Sequence, residues 1–253
     1  MHTPANPTIL LTNDDGIDAQ GLNALAHAFS QRDVSLWVVA PDDERSGSSH
    51  GMSLNRPIRV TQHGKQRYST TGTVADGVYF ALFRLMPAFP DIVISGINHG
   101  ANLGSDVIYS GTVAGAREAA LRGIHALSIS LVAGDVYDTV AQSAVDIAFA
   151  LLARPAQPPW LLNLNYPAPT FSSMVVAPLG ERHYPAQVEQ RHAPMGNRPY
   201  YWLGGGPVVD ARIPGSDGDM IAKGHATLTP LALDQTRRDL LGDPGLSGLL
   251  DKS

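Results

Sequence analysis

Three times in its first hundred residues the chain runs through a short apolar stretch and breaks into a polar, glycine-bearing loop. The runs are TILLT at 8–12, LWVVA at 36–40 and DIVIS at 91–95. An uninterrupted apolar run of this length, ended by turn residues, predicts a strand buried on both faces. Strands buried on both faces belong to parallel sheets covered by helices. The intervening sequence supplies those helices. Leu22, Leu25, Ala26 and Phe29 share one face of a helix predicted over Ala19–Gln31, and Val78, Ala81, Leu82 and Leu85 mark a second. Thr112–Arg122 and Thr139–Ala153 read as further helices, and Leu127–Val132 and Trp160–Leu164 as further strands. The alternation predicts an α/β fold with a mostly parallel sheet.

Beyond about residue 178 the texture changes. Proline, glycine and aromatic residues crowd together in RHYPAQ, APMGNRPYYWLGGGP and IPGSDGD. Tyr200, Tyr201 and Trp202 need a packing partner, which points to an irregular β-rich extension that serves as an oligomer contact. The organisation expected is a catalytic core over 1–178, a β-rich extension over 179–225, and a return strand at Ala226–Thr229 with a tail over 226–253.

Bulk properties narrow the chemistry. A net charge of −5 argues against a general nucleic-acid binder, which needs a basic surface. With no cysteine, disulfides and thiolate ligands are excluded, so any metal must be held by oxygen or imidazole. The histidines show no HxxxH spacing, which argues against a histidine zinc site. GxxxxGK[ST] and DxDx[TV] are absent, and no GxGxxG follows the first strand. P-loop NTPase, aspartyl-phosphate phosphatase and dinucleotide oxidoreductase readings lose their usual signals. The opening MHTPANPTILLTNDDG lacks the basic segment and apolar core of a secretory signal, so a cytoplasmic setting is expected.

Ligand sites of open parallel sheets lie beyond the carboxyl ends of the strands. The first such loop is Asn13-Asp14-Asp15-Gly16. Adjacent desolvated carboxylates are costly without a counterion, and a divalent cation suits them; alone, the sequence reads as an Asx turn with Gly16 at positive φ. The second is Ser46-Gly47-Ser48-Ser49, whose hydroxyls can ligate a hard cation; alone, it reads as a surface loop. Arg45 beside it reads at least as readily as a solvated arginine as it does as a phosphate clamp, and His50 reads more as a surface histidine than as an acid–base group. The third, SGINHGANLGSD at 95–106, is the most informative. Asn98 offers a neutral amide oxygen, His99 stands beside it, and Asp106 reads as a loop-holding hydrogen-bond acceptor. Ser110-Gly111-Thr112 then opens a helix whose free N–H groups favour a phosphate, although Ser110 or Thr112 also reads as a simple cap.

Together, LLTNDDGIDAQGL, VVAPDDERSGSSHGMSL and DIVISGINHGANLGSDVIYSGTVAGAREA resemble the SurE family of survival-protein nucleotidases, in the family's order and spacing. STTGTVADGV at 69–78, LLNLNYP at 161–167 and Thr229-Pro230-Leu231 extend the resemblance over nearly the whole chain. Two departures, Val74 with Gly77 and the segment Gly224–Leu231, bear on substrate preference and assembly. The resemblance implies a Rossmann-like three-layer α/β/α core. It also implies a metal-dependent phosphomonoesterase acting on nucleoside 5′- and 3′-monophosphates and on short polyphosphate. One Mg²⁺ or Mn²⁺ per subunit would be held by Asp14, Asp15, Ser46 and Asn98. On the mechanism expected for such a site, Asp14 and Asp15 would carry the catalytic role, with Asp14 preferred for steering water, and the backbone N–H groups of Ser110, Gly111 and Thr112, with Asn102, would bind phosphate. A homodimer or homotetramer is expected, with no polymeric nucleic acid or membrane partner. The rival reading is a non-catalytic nucleotide or phosphate sensor on the same scaffold.

Overall fold

The computed structural model describes residues 6–155, 158–168, 170–185, 187–203 and 208–246. Residues 204–207 of the expected extension and 247–253 of the expected tail lie outside these. The chain opens with β1 (Thr8–Thr12), α1 (Gln20–Ser30) and β2 (Ser35–Pro41), followed by a hairpin of β3 (Val60–Gly64) and β4 (Arg67–Thr70). Next come α2 (Val74–Phe80), which runs on through a π-helical turn at Ala81–Leu85, and β5 (Ile92–His99). A 3₁₀ turn at Gly104–Ile108 leads into α3 (Gly111–Ala120), β6 (His125–Leu131), α4 (Tyr137–Leu152) and β7 (Leu161–Tyr166). The remainder holds β8 (Met174–Val176), β9 (Arg182–His183), β10 (Val188–His192), β11 (Pro199–Leu203), β12 (Val209–Asp210), α5 (Asp217–Ala222) and β13 (Ala226–Pro230).

The central sheet has nine strands in the order β3-β4-β2-β1-β5-β6-β7-β13-β8. The strands from β4 through β7 run parallel, while β3 and β13 join antiparallel. Side-chain alternation splits the apolar runs between two layers. Ile9, Leu11, Ile92, Ile94, Leu127 and Ile129 pack with α1 and α4, whereas Leu10, Val93 and Ala126 pack with α2 and α3. This is the mostly parallel α/β sheet that the alternating pattern predicts, in the three-layer α/β/α form that the resemblance implies.

Close approach explains two glycines. A Cβ on Gly21 of α1 would stand 2.0 Å from the Ile97 carbonyl oxygen, and one on Gly96 would stand 2.4 Å from that of Ile129. Both let the end of β5 nest between α1 and β6. β5 therefore continues four residues past the predicted end at Ser95 and carries Asn98 and His99 on its last turn of strand.

The β3–β4 hairpin has no counterpart in the apolar pattern, because β3 is an edge strand with mostly exposed polar side chains. After residue 178 the chain forms the hairpin β10–β11 and the pair β9–β12, with α5 capped by Ser216. Tyr200, Tyr201 and Trp202 remain exposed within the single chain, touching one another only through an edge-to-face Tyr200–Trp202 pair among the described rings.

Candidate active site

From β1 the chain passes to β2 on one side, while β5 lies on the other, so the crossover direction reverses at β1. The crevice at such a reversal, beyond the carboxyl ends of the strands, is where open sheets bind ligands. The loops after β1, β2 and β5 all reach it. A cavity of about 670 Å³ opens there, lined among others by Asp14, Ser46, Asn98, Asn102 and Ser110.

The NDDG loop divides its labour. Asn13 makes the Asx turn, its amide donating to the Gly16 carbonyl at 3.0 Å and accepting from the Gly16 N–H at 3.2 Å, with Gly16 at φ 107°. Asp14 and Asp15 are left for other work. Asp14 is buried and accepts a hydrogen bond from the Thr112 hydroxyl in the first turn of α3. Burial raises its pKa, while the side chain and backbone of Thr112 act in the opposite direction. Asp15 accepts from the His99 N–H at 3.1 Å at the end of β5. Burial, then the neighbouring Asp14, pushes its pKa up to about 6. Among the described residues neither carboxylate takes part in an ion pair. Two desolvated carboxylates side by side without a cationic partner form an electrostatic deficit that a cation would relieve.

The neutral donors complete this picture. The Asn98 amide nitrogen donates to the Gly100 carbonyl at 2.9 Å, which fixes the side chain and leaves its oxygen available. The Ser46 hydroxyl donates to Glu44 at 2.8 Å, leaving oxygen lone pairs free. Among the described residues no three His, Cys, Asp or Glu side chains gather to hold a metal. The serine hydroxyl and asparagine amide could add neutral oxygen donors to the two aspartates, an all-oxygen set suited to a hard divalent ion.

Ser110 caps α3, its Oγ accepting from the Val113 N–H at 3.0 Å, so its own proton is free to donate into the cavity. Gly111 stands directly against Asp14, where a Cβ would meet Asp14 Oδ2 at 2.8 Å and Ser48 Oγ at 3.0 Å. Thr112 gives its hydroxyl to Asp14, and of the expected phosphate binders Asn102 and Ser110 line the cavity while Gly111 and Thr112 do not. Asn102 is buried and anchored on three sides. Its N–H donates to Asn165 at 2.9 Å, its amide donates to Ser130 at 2.8 Å, and its carbonyl accepts from Asn163 and Asn165 at 2.8 and 3.0 Å.

The other polar residues singled out in the sequence take quieter positions. Arg45 pairs with Asp42 at 3.0 Å, and the His99 ring meets the Tyr137 hydroxyl at 2.8 Å. Asp106 holds loops together, binding Arg182 and Tyr184. His50 reaches buried Glu118 on α3 at 2.9 Å, tying down the loop that carries Ser46. Sequence reasoning missed Glu118, Ser130, Asn163 and Asn165. The last two sit two residues apart in a buried strand, and polar alternation inside LLNLNY was the available signal.

A family model described as Survival protein SurE matches residues 9–186, which contain this whole constellation. The chain belongs to the SurE family. A protein named 5′-nucleotidase SurE from Anaeromyxobacter sp. (strain Fw109-5) is 45% identical over 238 residues, covering 92% of each chain. One of the same name from Xanthomonas oryzae pv. oryzae (strain PXO99A) is 41% identical over 241 residues, again covering 92% of both. The crystal structure of the SurE protein from Aquifex aeolicus superposes with a TM-score of 0.80 at 31% identity, covering 96% of this chain and all of that one. SurE similarity thus extends past the core into the irregular C-terminal part.

Proposed function

We propose that this SurE-family chain is a metal-dependent phosphomonoesterase. Its substrates are nucleoside 5′-monophosphates, and also 3′-monophosphates and short polyphosphate, and its products from nucleotides are the nucleoside and inorganic phosphate. The observation that carries the reading is the pair of desolvated, unpaired carboxylates Asp14 and Asp15, met by Ser46 and Asn98 beside the capped N-terminus of α3. The names of the relatives, 5′-nucleotidase SurE, support the same activity.

One Mg²⁺ or Mn²⁺ per subunit fits Asp14, Asp15, Ser46 and Asn98. When bound, such an ion supplies Lewis acidity at a phosphoryl oxygen and acidifies water. Thr112 holds the Asp14 carboxylate in place, and Asp14 orients the attacking water. Ser110 donates its hydroxyl proton to the phosphate, and Asn102 adds the amide hydrogen that Ser130 does not take. The water oxygen bonds to phosphorus as the ester P–O bond breaks; the water gives up a proton to solvent, and the departing nucleoside oxygen takes one up from solvent. No phosphorylated side chain forms.

We place the exposed hairpin β10–β11 in a homodimer or homotetramer contact, and a cytoplasmic setting goes with nucleotide substrates. Among the described residues no helix is long and apolar enough to cross a membrane. Phosphate release from a panel of 5′- and 3′-nucleotides, with Mg²⁺ or Mn²⁺ and with a chelator, tests the reading. Turnover that depends on the metal is expected. No turnover with either metal would sink it.

A further inference from the structure

The cavity is far larger than a phosphate needs. At about 670 Å³ it falls among pockets that take whole drug-sized ligands, roughly 300–1,000 Å³. Beyond the oxygen-rich residues its lining includes two aromatic side chains, Tyr109 and Tyr184. Both residues are more than half exposed, at 61% and 54%. Exposed aromatic faces inside a concave site offer stacking surface to a flat ring, and a nucleobase presents such a face whatever its identity.

Tyr184 is also held in place before any ligand arrives. Its hydroxyl donates to Asp106 at 2.7 Å, and the other oxygen of the buried Asp106 accepts from Arg182. The segment bearing Tyr184 is pinned to the turn bearing Asp106 by Ser105, whose hydroxyl donates to the Arg182 carbonyl at 2.7 Å. Buried Asp217 adds a second tie, accepting from Gly104 at 2.9 Å and Gly180 at 2.7 Å. A ring fixed in this way loses little freedom on binding, so more of the stacking energy appears as affinity.

We infer that Tyr109 and Tyr184 form the base-recognition end of the site, with Asp106 as the positioning residue for the Tyr184 ring. The inference rests on the nucleotidase reading and deepens it: the preferred substrates are phosphomonoesters that carry a nucleobase.

The test compares adenosine 5′-monophosphate with ribose 5-phosphate, which lacks the base, under one metal condition. In Tyr184→Ala the ratio of their kcat/KM values should fall roughly 5- to 100-fold, carried in KM. Tyr109→Leu should lower the ratio too, and it serves if Tyr184→Ala fails to fold. Asp106→Asn should lower it in the same direction, with little further fall when combined with Tyr184→Ala, because both act through one ring. A purely structural Asp106 would depress both substrates equally. An unchanged ratio in the folded tyrosine variants overturns the inference while leaving the phosphatase reading intact. A wild-type chain that releases phosphate from neither substrate fails the earlier reading instead. Calorimetric titration with adenosine 5′-monophosphate then decides: weaker binding to Tyr184→Ala supports base recognition, and equal binding or none to the wild type overturns it.

Discussion

Asp14 leans on the first turn of α3, where the Thr112 hydroxyl donates to one of its carboxylate oxygens. This contact joins the loop after β1 to the helix whose N-terminus faces the cavity. It also holds the carboxylate in one orientation, with Oδ2 set against Gly111. The helix N-terminus favours negative charge there, and this partly offsets the cost of burying the carboxylate.

Asp14→Asn should therefore remove activity without unfolding the protein. The amide keeps the shape and can still accept from Thr112, but the charge is gone. We expect at least a roughly 100-fold fall in kcat/KM, by analogy with losses when metal sites are weakened. The thermal shift that Mn²⁺ produces in the wild type should shrink in parallel. A variant with wild-type turnover would remove Asp14 from the site.

Gly111→Ala is expected to separate activity from stability. Its new methyl group would press on Asp14 Oδ2 and Ser48 Oγ, at 2.8 and 3.0 Å. Alanine is a better helix former than glycine, so the helix itself does not suffer. Activity should fall at least tenfold while the urea midpoint moves little, an estimate set by the sensitivity of catalysis to small misplacements. Unimpaired kinetics would show that the carboxylate tolerates displacement.

Asn165 spans the loop after β5 with two hydrogen bonds to the backbone of Asn102. Asn165→Leu leaves a buried N–H unsatisfied and takes one donor from the Asn102 carbonyl. Each buried group left unpaired costs about 1–3 kcal/mol. We expect chemical denaturation to show a loss in this range, with a drop in kcat as Asn102 loosens. Full stability would mean that the loop is held by other contacts.

Glu118 should make stability depend on acid. Burial raises its pKa, but the hydrogen bonds from His50 and Arg122 outweigh that, so it lies below the ordinary value of 4.5. A carboxylate depressed in the folded state stabilises in full above its unfolded pKa, and the contribution fades as pH falls through the folded one. Glu118→Gln should thus be clearly less stable than wild type at pH near 7, with the gap narrowing below about pH 4.5. Urea unfolding across that range reads it directly. A gap independent of pH would assign the loss to packing instead of charge.

The sheet and its flanking helices were legible in the sequence because burial imposes period. TILLT, LWVVA and DIVIS could be placed in a covered parallel sheet from apolar content alone, and Leu22, Leu25 and Phe29 from helical spacing. The β3–β4 hairpin was not legible, since an exposed edge strand needs no apolar alternation. Nor was the supporting layer of Glu118, Ser130, Asn163 and Asn165, whose meaning depends on partners distant in the chain. The sequence by itself determined which residue types follow the apolar runs of β1, β2 and β5, because a buried run gives way where polar and turn-forming residues begin, although β5 itself runs on to His99. Only the tertiary structure decided that Asn13 closes the turn while Asp14 faces Thr112 and Asp15 faces His99. Those choices follow from the order β2-β1-β5 in the sheet, which brings separate loops within hydrogen-bonding distance and which no local pattern encodes.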